Sequence, residues 1–421
     1  MNLLKAKGET KMKFGLLIEE KTRNIGDDIQ AYVTRRFLPR VDYYVDRNHI
    51  DEFVPNTEEK VALIANGWFL QYTLNWPPSP YLKILPISMH FTNKDWFWDT
   101  TDRPYHLQGY GLKYLKTIEP IGCRDSHTQK LLTEKGIKTE YTGCMTLTLQ
   151  KFEGIEKKDY ICAVDVSDAV VDQIRKTTDM EVKVMTHTVP EDYYKLSWDE
   201  RMEKVEELLK IYQGARAVVS YRLHCALPCL SLETPVILLN EDYRNDRFGD
   251  YTAYMESCSE DDFLSEKIKY DYRNLPKHSE EWKNLRKDLI SRCEKFVKLM
   301  EEKDEKYDDD INIKDYKEYV INKSNWLKDA CLESYNRFEE EKSNSKKIKE
   351  DLNIEKENSI KKDEKIKKQE EEIQIARDSE KYYHKEFDEC LEKMENYKKE
   401  LESIKASRWW KMRQIVKKDN K

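Results

Sequence analysis

Glycine and proline both run out early in this chain. All twelve glycines lie at or before Gly249 and the last of twelve prolines is Pro276, so the final third of the 421 residues lacks both residues that most readily interrupt a helix. There is no basic surplus either. Charged residues make up 37% of the chain, yet the formal net charge is -7. A protein that holds nucleic acid by neutralising phosphates needs an excess of cations, so that class is excluded. No stretch approaches the ~20 apolar residues of a membrane-spanning helix, and Met1–Lys13 lacks the apolar core of a secretory leader. Nine cysteines include no CxxC pair and no His/Cys/Asp/Glu grouping with structural metal spacing. These absences read as a cytoplasmic protein with reduced thiols and no zinc. Neither GxGxxG nor GxxxxGK followed by Ser or Thr occurs, so no nucleotide phosphate loop announces itself.

What is present is an alternation of short apolar runs with helical patterns over residues 14–250, the signature of an α/β fold with parallel strands. Strand candidates are Phe14–Ile18, Val41–Val45, Val61–Ala65, Ile84–Met89 and Glu119–Cys123 in a first half. Tyr160–Val164, Val182–Thr186, Ala217–Ser220 and Val236–Leu239 follow in a second. Helical patterns fall at Asp27–Phe37, Ser126–Lys135, Asp165–Thr177, Trp198–Tyr212 and His224–Glu233, with an amphipathic helix from about Ser279 to Met300. In open α/β sheets ligands gather outside the carboxyl ends of the strands, next to the following helix N-termini.

Several strand ends carry chemistry. Ala217–Ser220 is an apolar run that stops at Arg222 and His224, a cation and an imidazole where an anion would be received. Asn24-Ile25-Gly26-Asp27-Asp28 follows the first strand, where Asn24 and Gly26 suit a tight turn that exposes amides. Asn66-Gly67, His90 and Arg124-Asp125 end three further strands on the same edge. His127 reads as a surface residue. The proline-rich Gln71–Pro80 segment reads as a loop over the cleft, either a platform for a sugar ring or a cover.

Taken in order, several segments resemble the polysaccharide pyruvyl transferase family. They are Asn24-Ile25-Gly26-Asp27-Asp28, Ala65-Asn66-Gly67-Trp68-Phe69, Pro120-Ile121-Gly122-Cys123-Arg124-Asp125, the run Thr142–Leu149, and Arg222-Leu223-His224-Cys225-Ala226-Leu227-Pro228. The resemblance covers roughly residues 13–250. It implies two Rossmann-like lobes in a glycosyltransferase-B-like arrangement, with transfer of pyruvate from phosphoenolpyruvate onto a sugar of a cell-surface glycan as a ketal. It also implies that Arg222, Leu223 and His224 belong to the donor site. Such a donor carries a phosphate and a carboxylate, for which Arg222 and Arg124 are the best cations, with Asn24, Gly26, Asp27, Asn66 and Gly67 lining the same edge. Ketal formation needs a proton for the methylene carbon and removal of two hydroxyl protons. His224 is the first candidate for general acid, His90 the second, and Asp28 or Asp27 the base. Phosphoenolpyruvate is a substrate here, and no cofactor is expected. A nucleotide-sugar glycosyltransferase of similar fold and a non-catalytic coiled-coil scaffold are the competing readings.

The glycine-free end reads as a heptad array. With Phe387 at position a, apolar residues fill twelve of eighteen a and d positions between Ser345 and Ile404. That pattern predicts a long C-terminal coiled coil and, through it, a homo-oligomer. The expected organisation is a first α/β lobe over 13–150, a second with its closing helix over 159–303, a helical linker over 304–340, a coiled coil over 341–407 and a basic amphipathic tail over 408–421. That tail has six cations against one acid, interleaved with Trp409, Trp410, Met412, Ile415 and Val416, and fits the inner face of an anionic membrane.

Overall fold

A computed structural model describes residues 12–56, 59–69, 76–91, 109–240, 245–265, 269–302, 313–358 and 363–406. The first lobe runs β1 (Lys13–Ile18), α1 (Ile25–Arg35), β2 (Tyr43–Asp46), β3 (Val61–Phe69), β4 (Leu82–Phe91), α2 (Gly109–Thr117), β5 (Ile121–Cys123), α3 (Ser126–Glu134) and β6 (Thr139–Tyr141). The second runs β7 (Tyr160–Val164), α4 (Asp168–Thr177), β8 (Glu181–Met185), α5 (Trp198–Gly214), β9 (Ala217–Ser220), α6 (Leu223–Ser231), β10 (Val236–Leu239), α7 (Asn245–Phe248), β11 (Glu256–Cys258), α8 (Glu260–Leu264) and α9 (Trp282–Glu302). Each lobe is one wholly parallel sheet, ordered β2-β1-β3-β4-β5-β6 and β11-β10-β9-β7-β8. This is the two-lobed α/β architecture expected. Strand order reverses beside β1 in the first sheet and beside β7 in the second, which is where ligand crevices form.

Local chemistry explains the helix starts. Asn24 caps α1 by accepting from the Gly26 amide, and Asp125 caps α3 by accepting from the Thr128 amide. Ser197 and Glu200 form a reciprocal capping box on α5. Central strands β7, β9 and β10 are buried along their whole length, so they read as unbroken apolar runs. The short edge strands β6 and β11, of sequence Thr-Glu-Tyr and Glu-Ser-Cys, carry no such run and were not expected.

One hydrophobic core crosses both lobes, joining Phe14, Ile29 and Leu147 to Val205, Leu209, Tyr212 and Leu230. The closing helix α9, grouped with the second lobe by sequence, packs against 145–148, β3 and β4 of the first and buries Trp282, Leu289, Cys293 and Val297. Polar seams reinforce the junction. The Ile25 amide donates to His187 O at 2.9 Å, the Val189 amide to Arg23 O at 3.1 Å, and Tyr32 to Glu206 at 2.8 Å.

Trp76, expected on a loop over the cleft, is instead buried against Phe69, Phe91 and Tyr114, because its ring fills a gap between strand side chains. Residues 71–75 of that segment lie outside the described residues.

The C-terminal part forms a separate unit of two long helices, α10 (Ile313–Asn358) and α11 (Asp363–Ala406). They run antiparallel: Tyr335 meets Phe387 and Phe338 meets His384, each with rings 5.4 Å apart, and a disulfide joins Cys331 to Cys390. The C-terminal heptads therefore fall on two helices. Leu352 stands on α10, whereas the buried seam residues Ile373, Ala376, Tyr383, Cys390 and Tyr397 stand on α11, which packs against α10 of the same chain. The polar seam positions Glu355, Ser359 and Lys362 offer no apolar stripe to continue, and the two helices lie on either side of 359–362. One helix also crosses the expected linker boundary at 340, and the Cys331–Cys390 bridge departs from the expectation of uniformly reduced thiols. The basic tail over 408–421 lies outside the described residues. Among the described residues no helix is long and apolar enough to cross a membrane.

Candidate active site

The two lobes meet through the N-termini of α1 and α6. Gly26 stands where a Cβ would lie 3.1 Å from the His224 Cβ, so a side chain there would press against the base of the His224 side chain. His224 is buried, with Nε2 3.8 Å from Cys144 Sγ on the first lobe. Burial, then the nearby charges of Arg124 and Arg247, push its pKa well below the usual imidazole range, so it is neutral at pH 7.

Arg124 is the most unusual residue of the site. Its side chain is 1% exposed, and none of its three guanidinium nitrogens has a hydrogen-bond partner among the described residues. Asp125 Oδ2, 3.5 Å from Nε, supplies charge but no hydrogen bond. A buried guanidinium with idle donors is costly unless an anion completes it. The backbone here is firmly held, for Arg124 O accepts from the Tyr251 hydroxyl at 2.5 Å and its N–H donates to Met89 O at 2.8 Å.

His90 lies beside it at the end of β4. Its Nδ1 is 2.6 Å from Asp125 Oδ2 and its Nε2 has no partner among the described residues. Burial lowers the His90 pKa to about 3. Burial alone would raise the Asp125 carboxyl, but His90, Arg124 and the Thr128 amide together hold it below the carboxylate range. The pair is thus a neutral imidazole donating from Nδ1 to a carboxylate, which leaves Nε2 as a bare base. The Trp68 ring meets that of His90 edge-on at 5.6 Å, and the Arg247 guanidinium lies 4.6 Å from the Trp68 centroid.

The structure brings together His224, His90, Arg124, Gly26 and Asn24, whose side chain is held by its cap to Gly26. Arg222 ends β9 at the rim, 41% exposed in its side chain, with Nε donating to Asp165 at 2.8 Å. Other expected site residues have structural partners. Asp28 is fully buried in a forked ion pair with Arg201 and accepts from Tyr193 at 2.8 Å, so both its oxygens are committed and it is not free to act as base. Leu223 is a core side chain of α6. Asn66 accepts from Thr34 at 3.1 Å within the first lobe. Gly67, at φ +121°, lies where a Cβ would be 3.0 Å from Arg47 Nη1, so it admits that arginine rather than a ligand. Asp27 accepts from Thr22 at 2.9 Å and pairs with Arg47 at 3.4 Å. His127 is half-buried rather than a surface residue.

Sequence reading missed Glu19, Arg47, Asp165 and Arg247. Glu19 ends β1, is ion-paired with Arg47, and is pushed up to about 7 by burial against the pull of that guanidinium. Its setting in Glu-Glu-Lys looks like solvated surface, and only the rule that strand ends carry function would have marked it. Among the described residues no cluster of His, Cys, Asp and Glu is arranged to hold a metal ion.

A family model for polysaccharide pyruvyl transferase matches residues 24–243, which takes in Asn24, Gly26, His90, Arg124, Asp125, Arg222 and His224. The chain belongs to the polysaccharide pyruvyl transferase family. No curated protein matches it. Among solved structures it is similar to the Methanocaldococcus jannaschii UDP-GlcNAc 2-epimerase in complex with UDP-GlcNAc and UDP, at 12% identity and a TM-score of 0.35 over 69% of this chain and 99% of that one. It is also similar to a variant of the wall teichoic acid polymerase TagF, at 10% identity and a TM-score of 0.32 over 74% of this chain and 91% of that one. Within the pyruvyl transferase family region, Arg222 stands at the N-terminal boundary of α6 and His224 in its first turn, next to the α1 turn of the other lobe.

Proposed function

We propose that the chain transfers pyruvate from phosphoenolpyruvate to two hydroxyls of a saccharide, forming a ketal and releasing phosphate. The observation that carries this reading is the Arg124 guanidinium, buried with idle donors beside the His224 imidazole. It is a receptor for an anion, and a phosphoenolpyruvate carboxylate or phosphate suits its planar fork. Arg222 at the rim takes the donor's other anionic end.

The proton inventory follows from the two imidazoles. His224 is neutral because it is buried and because cations stand near it; a bound donor offsets those charges and raises its pKa. It can then pick up a proton and deliver it to the methylene carbon, leaving a carbocation-like centre at the enol carbon. His90 Nε2, held by Asp125 and made more basic as the donor's anions offset Arg124 and Arg247, takes the proton of the first attacking hydroxyl. Attack of the second hydroxyl expels phosphate, which leaves with the remaining proton. Asp28 has no part in these steps.

Self-association through the helical pair and contact of the basic tail with anionic lipid belong to the same proposal, as does a place at the inner face of the membrane. Sedimentation and liposome flotation read them directly. The decisive experiment incubates the full chain with phosphoenolpyruvate and glycan fractions, following phosphate release and the pyruvyl mass increment on the glycan. Loss of both in Arg124→Met is the expected result. Stabilisation by nucleotide sugars but not by phosphoenolpyruvate would overturn the reading.

A further inference from the structure

Asp165 follows β7 at the point where the second sheet reverses its strand order, directly beside the end of β9 that carries Arg222. It is one of three non-glycine residues at positive φ among those described, at +51°. Such a conformation is costly for a side-chain-bearing residue and persists only where its surroundings fix it. Here they do. Its amide donates to Met185 O at 2.9 Å, while its carboxylate accepts from Thr186 Oγ1 at 2.5 Å and from the His187 amide at 3.0 Å.

The fourth contact bears on function. Arg222 Nε donates to Asp165 Oδ2 at 2.8 Å, which takes up the inner nitrogen of the guanidinium. The two outer nitrogens have no partner among the described residues, and they are the pair that grips an anion in a bidentate fork. The backbone of Arg222 is fixed separately: its amide donates to Ser220 Oγ at 2.9 Å, and Ser220 Oγ donates to Val164 O at 3.0 Å across the β7–β9 pair. Through the His187 amide and the His187 carbonyl, which accepts from Ile25, the same carboxylate ties Arg222 to the start of α1.

We infer that Asp165 is a positioning residue, which holds the Arg222 guanidinium so that its outer edge faces the anionic donor. This rests on the proposed donor reading and adds the residue that orients the rim cation. Binding of phosphoenolpyruvate to the full-length protein, measured by calorimetry, tests it in a cycle of Asp165→Asn, Arg222→Ala and the double variant. Asparagine tolerates positive φ and preserves the side-chain shape; Asp165→Gly, which adopts that φ freely, serves if the first variant folds poorly. Asp165→Asn should weaken phosphoenolpyruvate binding about 10- to 30-fold in the wild-type background and by less than about twofold in the Arg222→Ala background. An equal loss in both backgrounds means a merely structural role and overturns the inference, as does unchanged affinity in the single variant. Absence of phosphoenolpyruvate binding to the unaltered protein overturns the donor reading itself, and the inference with it.

Discussion

Replacing Arg124 with methionine should make the free protein more stable and the donor-bound protein far harder to form. The guanidinium is 1% exposed, and its three nitrogens lack hydrogen-bond partners among the described residues. Its ion-pair partner Asp125 keeps His90 at 2.6 Å and the Thr128 amide at 2.8 Å after the change, so no carboxylate is left stranded. Removing a buried guanidinium whose donors are unsatisfied relieves a desolvation cost of about 1–3 kcal/mol, and a gain of that order is expected here. The donor would lose two charge-assisted hydrogen bonds of roughly 1.5–3 kcal/mol each, a loss of affinity of at least about 100-fold. Guanidinium denaturation without ligand and calorimetry with phosphoenolpyruvate give the two numbers. Opposite signs are what an anion receptor requires. A variant that is less stable by more than about 1 kcal/mol yet binds the donor normally would show that Arg124 is structural and refute the reasoning.

Asp28→Asn breaks a buried ion pair with Arg201 and should destabilise by about 3–5 kcal/mol, while the folded fraction still binds donor; loss of turnover with unchanged stability would return Asp28 to the catalytic set. His90, with a folded pKa of about 3 against 6.5 for a free imidazole, takes up its proton more readily when unfolded. The native state should therefore lose about 1.4 kcal/mol per pH unit as pH falls from 6.5 towards 4, a slope that His90→Gln removes in denaturation midpoints at the two ends of that range. The Cys331–Cys390 bridge closes a 59-residue separation, worth about 4 kcal/mol by loop entropy, so Cys331→Ser should lower the melting of the helical pair and leave donor binding intact.

The central strands were legible because burial on both faces leaves nothing but apolar residues, as in Ala217–Ser220 and Val236–Leu239. Strand-end logic likewise points to Arg222, His224, Arg124 and His90, because each lies at the carboxyl end of a strand. Asp28 was misread because its partner Arg201 lies 173 residues away, and no local pattern distinguishes a first-turn acid from a buried half of an ion pair. Glu19 and Asp165 stayed hidden for a related reason, since their significance lies in what the fold brings to them. The heptads reported correctly which face of α11 is buried, but periodicity names no partner, and the partner here is the preceding helix.

The core shared between the lobes bears on how the chain can be made. The first sheet reaches its final cover only when α5, α6 and α9 are present, the last of them ending at Glu302. A nascent chain that has released only its first 150 residues would hold Phe14, Ile29 and Leu147 without that cover, however complete its strand pairing. Synthesis therefore passes through a long interval of exposed apolar surface, in which holdase chaperones have an obvious target, and a stop codon placed between the lobes should yield inclusion bodies rather than a half-enzyme.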